Sequence, residues 1–183
     1  MTDDPRERWN DRYSDSEPPT EPTPLVEAYR DRLPGGRALD VATGGGRDAL
    51  ALAESGFSVE AIDVSDAALE IARERAEKRD LEIQFVRADV ESHRFPTEAY
   101  DVISVAYYHG LNALARLVHA LVPGGTLLYQ HDVQPPDGDH RFRFGPNDLL
   151  RGALSLRVVR YEEPFEIGEG DTTVRLVARK PPG

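Results

Sequence analysis

Asp40, Asp63 and Asp89 each stand at or just past the end of a short apolar run, and a glycine-rich turn opens shortly after the first. The runs read Ala38-Leu39-Asp40-Val41-Ala42, Ala61-Ile62-Asp63-Val64-Ser65 and Val86-Arg87-Ala88-Asp89-Val90. The turn is Thr43-Gly44-Gly45-Gly46, continued by Arg47-Asp48-Ala49-Leu50 in a helical pattern. A carboxylate has two oxygens and several lone pairs, so one placed after a second strand accepts both hydroxyls of a ribose. One placed after a third strand accepts from the exocyclic amine of an adenine. Asp40, inside the end of the first strand, suits a cationic ammonium group, directly or through water. Glycines let the backbone take positive φ and approach a ligand closely. A glycine turn alone is a weak signal, and any one aspartate reads equally well as a cap or turn residue. Three in register at successive strand ends make a shared ligand the better reading.

The elements that must position these residues follow from the hydrophobic pattern. Strands are predicted over 38–42, 58–62, 82–86, 101–105 and 126–130. Helices fall between them. Arg47 to Ser55 ends at Gly56. A helix capped by Ser65 runs to about Arg79, with Ala68, Leu69, Ala72 and Ala76 on one stripe. A third carries Leu111, Leu114, Val118 and Leu121 and stops at Pro123-Gly124-Gly125. Strands alternating with helices through short connections imply right-handed crossovers and a parallel sheet covered on both faces. Residues 156–161 and 172–179 are strand-like with no room for a helix between them, so they should pair as an antiparallel hairpin. The predicted fold is α/β, a doubly wound (Rossmann-like), mostly parallel sheet ending in that hairpin.

Residues 1–24 are polar and hold Pro5, Pro18, Pro19, Pro22 and Pro24, which predicts a loosely packed arm or lid ahead of a single domain over 25–183. Trp9 and Tyr13, four apart, share one face of a short helix there, either capping the core or covering a ligand. Leu25 to Leu33 reads as a short amphipathic helix stopped by Pro34-Gly35-Gly36. The chain has no cysteine, which excludes disulfides, thiolate metal sites and a cysteine nucleophile. A net charge of −11 argues against a nucleic-acid partner, which needs clustered cations. Arg87, Arg94, Arg141, Arg143 and Arg151 do not form a run. No apolar stretch approaches the ~18 residues of a membrane span, and the charged start of the chain lacks the apolar core of a signal peptide. A cytoplasmic location without membrane contact is expected by elimination. Oligomeric state is left open.

The pattern Asp40-x-Ala42-x-Gly44-x-Gly46, then Asp63, then Asp89 resembles the class I S-adenosylmethionine (SAM)-dependent methyltransferases. Leu121-Val122-Pro123-Gly124-Gly125-Thr126-Leu127 resembles that family's approach to strand five, and the closing hairpin its last two strands. The likeness covers residues 37 to 180. Ala42 departs from it, since the family usually has glycine there. Trp9-Asn10-Asp11-Arg12-Tyr13, Gly46-Arg47-Asp48-Ala49-Leu50 and the stretch from Phe142-Arg143-Phe144 to Leu149 are similar to small methyltransferases of the tellurite-resistance type. That resemblance implies SAM as cofactor, Tyr13 closing over it, and a small polarisable acceptor such as a thiol or chalcogen compound. The cofactor residues implied are Tyr13, Asp40, Ala42, Thr43, Gly44, Gly46, Arg47, Asp63, Val64, Asp89, Val90 and Ala106.

Methyl transfer is an in-line displacement, so the site's main task is alignment of nucleophile and methyl. Tyr107, Tyr108 and His109 follow the fourth strand and are the candidate catalytic residues, as pocket walls or, for His109, as a base. Packing is the stronger reading of the tyrosine pair. His131 and His140 flank an acidic, Pro/Gly-rich loop whose residues read as solvated turns, and no metal site is expected. Arg151 reads as a helix-surface ion pair before an anion ligand. Two alternatives stay open: a nicotinamide- or nucleotide-dependent enzyme on a similar fold, and a protein that binds SAM without methyl transfer.

Overall fold

The computed structural model describes residues 4–133, 144–164 and 172–183. They pack as two compact units, divided between His93 and Arg94. In the first, the apolar runs form β1 (Arg37–Val41), β2 (Ser58–Asp63) and β3 (Ile83–Arg87), parallel and in the order β3-β2-β1. After Arg37, every residue of β1 is buried. Such a run without alternation belongs to a strand covered on both faces.

Two crossovers join these strands, α3 (Arg47–Glu54) and α4 (Asp66–Glu77). Ser65 caps α4 as its sequence position implies, its hydroxyl accepting the Ala68 N–H at 3.1 Å. The stripe Ala68, Leu69, Ala72 and Ala76 is buried. Ahead of the sheet lie α1 (Pro5–Asp15) and α2 (Pro24–Tyr29), the latter followed by a 3-10 turn over Arg30–Arg32. No residue of α1 is buried. Even so, the arm is less loose than its composition suggests, because polar contacts hold it to α4.

The second unit contains β4 (Tyr100–Ala106), α5 (Leu111–Ala120), β5 (Leu121–Asp132), α6 (Asp148–Gly152), β6 (Arg157–Glu162) and β7 (Thr173–Arg179). β4 and β5 are parallel, while β7 runs antiparallel to both β5 and β6. The α/β, Rossmann-like pattern of mostly parallel strands closed by an antiparallel hairpin is therefore present.

Two details differ from the sequence reading. First, α5 ends at Ala120, and Pro123-Gly124-Gly125 lies inside β5 instead of terminating a helix. Leu121 already pairs with Tyr100, and the register slips before Val102 meets Thr126. The glycines absorb that slip: Gly124 has φ +81° and its N–H donates to the Lys180 carbonyl at 2.9 Å. Second, α6 escapes the periodicity argument because five residues do not complete two helical turns. Among the described residues, no helix is long and apolar enough to cross a membrane.

Candidate functional site at the carboxyl ends of β1 and β2

The parallel register pairs Val41 with Ile62, so Asp40 and Asp63 reach the same edge of their strands. The chain leaves β1 through a left-handed residue, Ala42 at φ +54°, and then Gly44 at +55° and Gly46 at +82°. This winding turns backbone N–H groups toward the neighbouring carboxylates. Gly44 N–H donates to Asp63 Oδ2 at 2.8 Å, and Ser65 N–H donates to Oδ1 at 2.9 Å. Thr43 Oγ1 donates to Asp40 Oδ2 at 2.5 Å. Asp63 is only 7% exposed and Asp40 2%. Burial raises the Asp63 pKa above the usual carboxylate value, and the N–H groups of Ser65, Gly44 and Val64 pull against that rise. These bonds leave a carboxylate with accepting capacity to spare.

The remaining residues predicted for this edge divide. Val64 is half-buried, Val90 is buried, and Arg47 starts α3 half-buried. Asp89 lies two residues beyond β3 and is exposed. Its carboxylate accepts the Glu91 N–H at 3.0 Å, the local bonding of an Asx turn. Gly46 answers to more than backbone freedom. A Cβ on it would fall 2.8 Å from the Ala72 methyl, so its absence lets α4 close on the turn.

The arm lies over these glycines. A Cβ on Gly44 would fall 2.4 Å from the Tyr13 hydroxyl oxygen. Burial, then the nearby Asp63 carboxylate, raises the Tyr13 pKa. Asn10 Oδ1 accepts from Ser65 Oγ at 2.8 Å and from the Ala67 N–H at 3.3 Å. Arg75 Nη2 donates to the Pro18 carbonyl at 2.6 Å, and Nη1 to the carbonyls of Pro19 and Gly45, both at 3.0 Å. The sequence placed Gly45 in the glycine turn but gave no sign of Asn10 and Arg75 as part of this assembly. No periodicity marks them, although Asn10 lies in the quoted Trp9–Tyr13 opening.

In the second unit Ala106 ends β4 half-buried, and Tyr107 follows with φ +56°. A bulky side chain at positive φ is a backbone outlier. Gln130 of β5 holds it twice: its carbonyl accepts the Tyr107 N–H at 3.0 Å, and its Nε2 donates to the Tyr107 hydroxyl at 3.1 Å. Tyr107 remains 41% exposed. The Tyr108 carbonyl accepts from the Tyr129 hydroxyl at 2.7 Å, and the Tyr108 ring lies where any side chain on Gly110 would go. That is packing work. The His109 ring lies 4.9 Å from that of Phe144 and 6.0 Å from that of buried His131, whose own ring is 4.9 Å from Phe144. Gln130 and Phe144 thus join the candidate group. His140, Arg141, Phe142 and Arg143 lie outside the described residues. Arg151 forms the surface ion pair, 3.0 Å from Asp148 on α6. No group of His, Asp and Glu suited to a metal occurs among the described residues.

Comparison with known proteins places this geometry in context. Residues 38–125 match a family model described as a methyltransferase domain. The chain is 39% identical over 111 residues to a demethylmenaquinone methyltransferase of Thermus thermophilus, covering 56% of this chain and 50% of that one. It is 30% identical over 175 residues to a ubiquinone biosynthesis O-methyltransferase of Azotobacter vinelandii, covering 88% of this chain and 74% of the relative. The chain spans about half the length of the demethylmenaquinone methyltransferases it matches (50% and 43% for two of them). Among solved structures, TehB from Haemophilus influenzae shares the fold, with a TM-score of 0.77 and 20% identity over 94% of this chain and 67% of that one.

Proposed function

The chain belongs to the class I SAM-dependent methyltransferase family, and we propose that it transfers the methyl group of SAM to a small-molecule acceptor, with residues 25–183 as the catalytic domain and residues 1–24 as its arm. One observation carries the reading. The buried Asp63 carboxylate, steadied by N–H groups from Gly44 and Ser65, ends β2 beside a left-handed glycine turn roofed by Tyr13. The residues fit the group: a desolvated bidentate acceptor for ribose hydroxyls, glycine backbone beside it, and a second buried carboxylate, Asp40, whose charge suits an ammonium group. Thr43, by donating to Asp40, fixes that carboxylate's orientation. Ala42, Gly46, Arg47, Val64 and Val90 belong to the same turn and strand ends, and Asp89 serves the adenine amine from its Asx turn.

SAM, held by Asp63, Asp40 and the glycine turn, would supply an electrophilic methyl on a sulfonium sulfur. The protein's share is alignment and exclusion of water. Tyr107 and His109 face the acceptor, while Tyr108 packs behind them, and His109 takes the proton from an oxygen or nitrogen acceptor. A thiolate or chalcogen anion needs no base. A flat, apolar acceptor is in keeping with quinone biosynthesis in the relatives' names. Titration calorimetry with SAM, S-adenosylhomocysteine and NAD tests the cofactor. Methylation of a panel of quinols, phenols, thiols and chalcogen oxyanions then tests the acceptor. Binding of NAD instead of SAM would overturn the reading. SAM binding without turnover on any acceptor would leave a binding protein.

A further inference from the structure

We propose that Arg75 is a positioning residue that staples the N-terminal arm to the glycine turn and so sets cofactor affinity without touching the cofactor. This rests on the reading of that turn as the SAM cradle. One planar guanidinium joins three carbonyls, those of Pro18 and Pro19 in the arm and that of Gly45 in the turn. Its rigid fork of donors suits such a junction, where a lysine's single ammonium does not.

Gly45 supports the assignment independently. A Cβ there would fall 2.5 Å from Pro18 Cγ and 2.8 Å from Arg75 Nη1, yet Gly45 is not among the residues with positive φ. Its missing side chain is therefore dictated by the arm above it and not by the backbone. Elsewhere the arm is tied by polar bonds at its two ends, Asn10 on Ser65 and Ala67, and Thr23 on Asp48, with no apolar anchor in α1. α1 buries no residue, and the Arg6–Asp66 ion pair is half exposed on both sides. An open groove of about 370 Å³ separates the arm from α4, lined by Tyr13, Ser16, Pro18, Ile71 and Glu74. With so little apolar burial, the arm depends on a few polar ties. Tyr13 hangs on the same segment five residues before Pro18, so releasing the staple releases the ring beside Gly44.

The chain's single tryptophan, Trp9, lies on the arm with its ring centroid 6.2 Å from that of Tyr13, and its fluorescence reports docking. In the ligand-free chain, Arg75→Ala should make Trp9 more accessible to acrylamide quenching. By calorimetry, Arg75→Ala should raise the Kd for S-adenosylhomocysteine about five- to tenfold, with KM for SAM rising and kcat retained. Tyr13→Ala should weaken binding too, and the double variant should be no weaker than Tyr13→Ala alone. Gly45→Ala, which displaces the arm while Arg75 stays, should reproduce the Arg75→Ala result and guards against a folding defect in that variant. Unchanged affinity in both variants, or effects of Arg75 and Tyr13 that simply add, would overturn the proposal. If the unaltered chain binds no S-adenosylhomocysteine, the reading of the site fails instead, and Trp9 quenching still decides the staple.

Discussion

Asp63 is where a single side chain has most to do. Asp63→Asn keeps an acceptor for one backbone N–H but loses charge and bidentate geometry, and should weaken SAM binding by about 1.5–3 kcal/mol. Calorimetry on a variant with parental circular dichroism checks this, and unchanged affinity would remove Asp63 from the site. Its pH behaviour has a definite sign. Burial raises its pKa above the ordinary 3.8, and only the ionised form accepts both hydroxyls. SAM affinity should therefore fall as pH drops through a value above 3.8, and Asp63→Asn should lack that fall. Ala42 offers a test of stability. At φ +54° its methyl strains the turn, and Ala42→Gly should gain about 0.5–1 kcal/mol after the extra chain entropy of glycine is counted. The urea midpoint reads it. The alanine that looks harmless in sequence is costly because only the folded backbone shows its φ.

Between elements, Asp48 is the joint. It lies in the first turn of α3, yet it accepts the Thr23 N–H at 2.7 Å and the Thr23 hydroxyl at 3.0 Å, fastening the N-cap of α2. Burial, as the largest cause, raises its pKa above 3.8. The protonated form is thus favoured in the folded state. Its contribution to stability is complete below the unfolded value and lost as pH rises through the folded one. Asp48→Ala should cost about 1.5–3 kcal/mol by stranding buried donors. Asp48→Asn keeps an oxygen for Thr23 without a buried charge, so it should hold its urea midpoint at neutral pH and flatten the pH dependence above 3.8. An Asn variant as unstable as the Ala variant would mean the charge itself holds the joint. The strands and main helices were legible because buried parallel strands write continuous apolar runs and crossover helices write a 3.6-residue stripe. The end of α5 was not. Pro123-Gly124-Gly125 serves as a helix stop or a strand irregularity with equal chemistry, and the pairing of Leu121 with Tyr100 decides between them.

For the molecule as a whole, the net charge of −11 implies self-repulsion in the compact state. Raising ionic strength from about 0.01 M to about 1 M with potassium chloride shortens the screening length from ~30 to ~3 Å, so Tm should rise. Thermal unfolding in that series checks it. A Tm that falls would show that local pairs such as Arg79–Glu54 and Arg30–Glu27 outweigh the overall repulsion.

The sequence by itself determined the α/β order of elements, the closing hairpin, the cap at Ser65, and the edge at which Asp40 and Asp63 stand. Each of these is written by near neighbours in the chain, through periodicity, capping or conformational freedom. Only the tertiary structure decided what meets that edge: Tyr13 against Gly44, Arg75 across Pro18 and Gly45, Asn10 on Ser65, Asp48 under Thr23, and Gln130 gripping Tyr107. Those contacts join residues distant in sequence through single side chains, and a lone arginine or asparagine carries no periodic mark of the partner it will find.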